Sequence, residues 1–248
     1  MTLQNAILEL ADDNLILGHR VSEWCGHAPI LEEDLAMPNM SLDMIGTART
    51  LYAYAAHLEN KGQTEDDMAY LRGEREYLNC LLVERPNGDF ATTMLRQLYF
   101  AAFMEPYWQA ALNSTDDVVR GVAGKAAKEM AYHIRHAGEW VIRLGDGTDE
   151  SAQRMKTAVT DLAPYVDELF QSSAAAQAAE DAGILPVRAD MRAAWDKTIN
   201  HIFGLAMLNT QEDTFAQTGG RQGLHGEGLG HILAMMQSIA RAHPGAVW

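Results

Sequence analysis

Basic residues are scarce in this sequence: 19 Lys and Arg stand against 34 Asp and Glu in 248 residues, for a net charge of −15. A chain of that sign repels phosphate backbones and anionic lipid headgroups. That excludes nucleic acid and a membrane surface as partners, but it favours a basic protein partner. Cysteine is almost absent. Cys25 and Cys80 stand far apart and form no C-x-x-C, so two buried thiols are expected instead of a disulfide. No apolar run approaches the ~20 residues of a membrane span, and the mean hydropathy is −0.19. The start, Met1-Thr2-Leu3-Gln4-Asn5, lacks the basic and apolar regions of a secretory leader, and a cytoplasmic location is expected. Strand-like alternation is scarce. G-x-S-x-G and H-E-x-x-H are missing, and no nucleophile stands with a plausible base.

What is present is helical periodicity, with a 48% hydrophobic content sufficient for a large core. Leu3, Ile7, Leu10, Leu17 and Val21 predict a first helix over residues 3–24, ended by Gly26-His27-Ala28-Pro29. A second helix is predicted over 31–59, with Leu35, Leu42, Ile45 and Tyr52 as its apolar face; Pro38 inside it should kink it or open a backbone hydrogen bond. Shorter helices are predicted over 64–71 and 74–83, followed by the turn Pro86-Asn87-Gly88. Long helices follow over 90–112 and, capped by Thr115, up to Leu144. Helices over 148–170, 174–182 and, capped by Asp190, up to Leu208 precede an irregular segment, 211–230, that holds six of the 20 glycines. A last helix is predicted over 231–242. No internal repeat or linker interrupts the chain, so residues 1–248 are read as a single domain. The fold class is all-α: an antiparallel bundle of four long helices with additional C-terminal helices.

Such bundles often hold a di-iron carboxylate centre. Two helices each supply a Glu and two others each supply Glu-x-x-His, so that carboxylate and imidazole project from one face a turn apart. No Glu or Asp of this chain has a His three residues later. Glu129 comes nearest, but Tyr132 holds the third position and His133 lies one residue late, about 100° further round the helix. Asp43 stands where a carboxylate might belong, yet Gly46 follows three residues on, and Glu105 is followed at once by Pro106. Asp43, Glu129, Tyr132 and His133 are therefore read as di-iron-like positions that bind no metal. The alternative is an active di-iron enzyme with Asp43, Glu129 and His133 as atypical ligands.

His19, Glu23 and His27 recur every four residues and suit either a metal face or, more often, a hydrogen-bonded row. Glu129, His133 and His136 form a similar face, read as a buried polar network. Tyr52, Tyr54, Tyr99 and Tyr107 are read as core. The run Thr218-Gly219-Gly220-Arg221-Gln222-Gly223-Leu224-His225-Gly226-Glu227-Gly228-Leu229-Gly230 has no Lys-Ser/Thr after it and no Rossmann spacing. Arg221 near a helix N-terminus suits an anion. The run as a whole reads as a packed surface loop or a docking loop for another chain, with Gly219, Gly220, Arg221, His225 and Glu227 as its contact residues.

Four stretches carry a resemblance. They are Ser22-Glu23-Trp24-Cys25-Gly26-His27-Ala28-Pro29 with Leu31-Glu32-Glu33-Asp34-Leu35-Ala36; Leu81-Leu82-Val83-Glu84-Arg85-Pro86-Asn87-Gly88-Asp89-Phe90; Lys128-Glu129 and Tyr132-His133 with Arg143-Leu144-Gly145-Asp146-Gly147-Thr148; and the glycine-rich run. In this order, and over essentially the whole chain, they resemble the structural-subunit branch of the ferritin-like PaaA/PaaC family, from the ring-1,2-phenylacetyl-CoA epoxidase of bacterial phenylacetate catabolism. The resemblance implies a ferritin-like fold and a homologous catalytic subunit that carries the di-iron centre. It also implies a small accessory subunit and a reductase whose flavin and iron–sulfur groups bring electrons from NADPH. The complex would epoxidise the ring of phenylacetyl-CoA with O₂. This chain would be no enzyme on its own and would bind no cofactor, serving to stabilise and position the catalytic subunit. A free-standing helical binding protein is the third competing role, and a homodimer of the isolated chain stays open.

Overall fold

The computed structural model describes residues 2–211 and 215–246. Eleven α-helices order them: α1 (Leu3–Ser22), α2 (Leu31–Glu59), α3 (Glu65–Tyr70), α4 (Leu81–Glu84), α5 (Phe90–Ala111), α6 (Asp117–Gly145), α7 (Asp149–Leu162), α8 (Ala174–Asp181), α9 (Arg192–Leu205), α10 (Glu227–Met236) and α11 (Ser238–Ala242). No strand occurs among the described residues. The fold is all-α, with the long-helix pairs of a ferritin-like bundle. The sequence suggests one domain; the contacts group into two compact units, residues 1–86 with 219–248 and residues 87–218.

The first unit is built on α1 and α2, which run antiparallel. Gln4 donates to Glu59 (3.1 Å), Tyr52 to Asp12 (2.5 Å) and Ser41 to the Gly18 carbonyl (2.7 Å), so positions rise along one helix as they fall along the other. Gly18 permits this approach, because a Cβ there would lie 2.9 Å from Ile45 Cγ1. Met37, Met40, Met44, Ala48 and Leu51 form the buried face of α2. This corrects the predicted face: Leu35 and Leu42 are 61% and 65% exposed. The helix runs on through Pro38 and ends at Asn60, whose φ of 53° closes it in the left-handed region that Asn tolerates.

The second unit is built on α5 and α6, also antiparallel, since Phe90 meets Trp140 edge-on (5.1 Å between centroids) and Gln97 meets His133. Phe100, Phe103, Tyr107 and Trp108 are fully buried on α5, each apolar side chain contributing about 1.5–3 kcal/mol relative to exposure. Helix α6 starts at Asp116, whose carboxylate accepts from the Val118 and Val119 amides (both 2.9 Å). Thr115, the expected cap, turns its hydroxyl to the Gly183 carbonyl instead (3.1 Å).

Four other expectations are corrected. The helix predicted over 74–83 is a 3-10 turn, Glu74–Glu76, then an extended stretch and the single turn of α4. The helix predicted from 148 to 170 stops at Leu162, two residues before Pro164, which has no amide hydrogen to donate. The helix credited to an Asp190 cap begins at Arg192, after a 3-10 turn that contains Asp190. The expectation of two buried thiols holds for Cys80 alone, since Cys25 is exposed.

Candidate functional site

Helix α1 is buried without a break from Ala6 to Gly18, yet Glu9, Asp12, Asp13 and Asn14 lie in that stretch. Carboxylates at such depth are tolerable only when paired and hydrogen-bonded. Asp12 accepts from Tyr52 Oη, from Arg72 Nη1 (3.0 Å) and Nη2, and from the Leu78 amide (2.8 Å). Asp13 accepts from the Cys80 amide (2.8 Å) and from Arg221 Nη1 (2.9 Å) and Nη2 (2.7 Å). These bonds explain the failed helix over 74–83: the amides of Leu78 and Cys80 point at α1 carboxylates, not at carbonyls four residues back. Burial opposes charge on Arg72 and Arg221, but the facing Asp12 and Asp13 carboxylates outweigh it and hold both guanidinium pKa values above their ordinary value. Burial, and next the Asp12 charge, pushes the Tyr52 hydroxyl well up, so it stays a neutral donor.

A further carboxylate closes the arrangement. Glu84 accepts from Asn79 Nδ2 (2.9 Å), His225 Nδ1 (2.7 Å) and the Gly226 amide (2.6 Å), and its carbonyl accepts from Arg20 Nη2 (2.9 Å). His225 donates through Nε2 to the Tyr77 carbonyl (2.8 Å). Acceptors face both ring nitrogens, which favours the imidazolium form: burial lowers its pKa, but Glu84 and the Tyr77 carbonyl together raise it.

The glycine-rich run is thereby the clasp of the first unit. The anion expected beside Arg221 is an internal one, Asp13. Arg221 and His225, expected to face another chain, are turned inward. Gly220 packs so closely that a Cβ would fall onto the Asn79 carbonyl, and Gly223, at φ 73°, lies against the Arg75 carbonyl. Gly219 closes the turn, its carbonyl accepting from the Gln222 and Leu224 amides (2.9 and 3.0 Å). Glu227 alone of the five stays exposed, in the first turn of α10. Residues 212–214, within the segment 211–230, lie outside the described residues.

The di-iron-like positions are divided between the two units: Asp43 belongs to the first, and Glu129, Tyr132 and His133 to the second. Glu129 pairs with Lys125 (2.9 Å), and His133, fully buried, accepts from Gln97 Nε2 (3.1 Å). Tyr132 is 38% exposed, with its ring beside His136. No group of three or more His, Cys, Asp or Glu suited to a metal occurs among the described residues. The His19, Glu23, His27 row also dissolves, because α1 ends at Ser22: Glu23 pairs with Arg20 (3.0 Å) and His27 Nδ1 lies against the Cys25 carbonyl (3.1 Å). Tyr52, Tyr99 and Tyr107 are core, and Tyr54 is half-buried.

The second unit has a groove of about 560 Å³ lined by Tyr99, Trp195, Arg192, Asp167, Asp196 and Asn200. Its one guanidinium, on Arg192, is shared by Asp167 (2.8 Å) and Asp196 (3.1 Å), which leaves the groove a single negative charge in excess.

Sequence reasoning missed Asp12, Asp13, Arg72 and Glu84. A signal existed. The apolar row of α1 steps from Leu10 to Leu17, and the positions between that should continue it are Asp13 and Asn14. Polar residues on a buried stripe imply partners elsewhere in the chain.

These features define an all-α protein on paired long helices, with the buried carboxylates of Asp12, Asp13 and Glu84 committed to internal cations and amides. Among the described residues no helix is long and apolar enough to cross a membrane. The chain belongs to the phenylacetic acid catabolic protein family, whose model matches residues 1–248. It is 42% identical over 241 residues, 97% of each chain, to the C subunit of 1,2-phenylacetyl-CoA epoxidase from Escherichia coli (strain K12).

Proposed function

We propose that this chain is the non-catalytic, structural subunit of a phenylacetyl-CoA epoxidase, working in the cytoplasm to stabilise and position a homologous catalytic subunit. The observation that carries the reading is the 42% identity to an epoxidase component over 97% of both chains. The donor set supports it: Glu129 is taken up by Lys125, His133 by Gln97, and Tyr132 faces outward. The di-iron centre belongs to the catalytic subunit in this reading. A reductase with flavin and iron–sulfur groups supplies electrons from NADPH, and the assembly includes a small accessory subunit. One O₂ then delivers one oxygen atom to the ring and one to water.

The test is reconstitution. Each subunit is assayed singly and together with reductase, NADPH, O₂ and phenylacetyl-CoA. This chain alone should turn over nothing, and omitting it should abolish or sharply reduce epoxidation. Full activity from the other subunits without it would remove the structural role. Anaerobic Fe(II) loading of the isolated chain should leave no stoichiometric iron, whereas about two irons per chain would restore the atypical-ligand alternative.

A further inference from the structure

Three exposed leucines in the first half of α2 form a row with Pro38. Leu31, Leu35, Pro38 and Leu42 follow one another at steps of four, three and four residues, which keeps them within about 40° of one line down the helix. The buried face of Met37, Met40, Met44 and Leu51 lies on the far side. Leu31, Leu35 and Leu42 are 70%, 61% and 65% exposed, and the row runs about 17 Å at ~1.5 Å per residue. Large apolar side chains aligned in water along one helix face differ from the singly scattered ones of an ordinary surface, and such patches mark interaction surfaces.

The ridge is bordered by acid. Glu32 and Asp43 lie along one side and Asp34 along the other, while the one cation on the same line, Arg49, stands beyond its far end and pairs with Glu65 (3.2 Å). That border decides among occupants. A second copy packed antiparallel about Pro38 would set Glu32 and Asp34 of one α2 near Asp43 of the other, carboxylate against carboxylate, between chains that each carry −15. An anionic bilayer is repelled for the same reason. A helix with its own apolar seam, bordered by Lys or Arg, gains on both counts: leucines leave water and the acidic border meets cations.

We propose that the Leu31–Leu35–Leu42 ridge of α2 is the docking seam for an apolar, basic-flanked helix of a different subunit. This rests on the reading of the chain as one member of a complex and names where on this chain that complex is held. The ridge is the centre of the interface, since stable assemblies bury more than one helix face supplies.

The test co-expresses the full chain with the homologous catalytic subunit and compares wild type with Leu35→Glu/Leu42→Glu and, separately, Glu32→Lys/Asp43→Lys. Both leucines already face water, so the melting temperature of the isolated leucine variant should stay within a few degrees of wild type. Its affinity for the partner should fall at least tenfold. The lysine variant should also bind more weakly, and the salt dependence of its binding should flatten. If wild type binds and the well-folded leucine variant binds equally, the seam lies elsewhere while the structural role stands. If wild type does not associate at all, the structural role falls and the seam with it. If sedimentation finds a homodimer that Leu35→Glu/Leu42→Glu dissociates, the occupant is a second copy and the proposal is overturned.

Discussion

Arg221 shows how one side chain can tie distant segments together. Its guanidinium bonds to the Asp13 carboxylate and to the Glu9 and Leu78 carbonyls (3.1 and 3.0 Å), joining α1, the extended stretch before α4 and the glycine-rich run. Removing it strands a buried carboxylate. Arg221→Ala should cost about 3–5 kcal/mol of unfolding free energy, read by urea denaturation. Arg221→Lys should recover little, because an ammonium cannot grip Asp13 with two nitrogens. His225 gives a pH signature. Its folded pKa is raised, so its contribution is fully present below the unfolded value of about 6.5 and is lost as pH rises through the higher folded value. The stability difference between wild type and His225→Asn should therefore shrink as pH climbs above about 6.5. A difference that grows with pH would mean a neutral ring in the clasp.

At the level of elements, the helix predicted over 74–83 fails where tertiary partners displace the local hydrogen bonds. The stretch 77–80 gives its amides to α1. The predicted last helix is divided at Gln237 into α10 and α11. The Gln237 amide keeps its bond to the Leu233 carbonyl (2.9 Å), while its side-chain amide donates to the Ala69 and Arg72 carbonyls (3.2 and 3.0 Å). Glycines divide by the same logic. Gly121 lies inside α6 with open space where a Cβ would go, so Gly121→Ala should stabilise the isolated chain by about 0.5–1 kcal/mol. Gly223→Ala meets both a positive φ and the Arg75 carbonyl. It should destabilise by more than ~1 kcal/mol. Paired thermal melts of the two variants check the contrast, and equal shifts would refute it.

Taken whole, the molecule carries −15 of net charge while placing several of its cations inside, on Asp12, Asp13 and Glu84. Each takes its place beside a buried carboxylate, so these charges cancel and most of the acidic excess stays on the surface. Association with a basic-flanked subunit should accordingly be steered by charge. The association rate measured by stopped flow should fall several-fold as the Debye length shrinks from about 30 Å at 0.01 M salt to about 8 Å at 0.15 M. A rate indifferent to salt would detach the charge from the encounter.

The sequence alone determined the helical class, the long elements α2, α5 and α6 to within a residue or two, and the absence of Glu-x-x-His, because periodicity and fixed spacing are local properties of the chain. It also carried the family, through motifs that keep their order. It did not determine which face of α2 is buried. Leu35 and Leu42 are as apolar as the methionines opposite, and only the packing of α1 against Ser41, Met44 and Tyr52 decides between two greasy faces. Nor did it determine that the glycine-rich run folds inward, since the carboxylates that hold Arg221 and His225 lie 208 and 141 residues away. A buried charge takes its partner from wherever the fold brings one, and that long-range choice exists only in three dimensions.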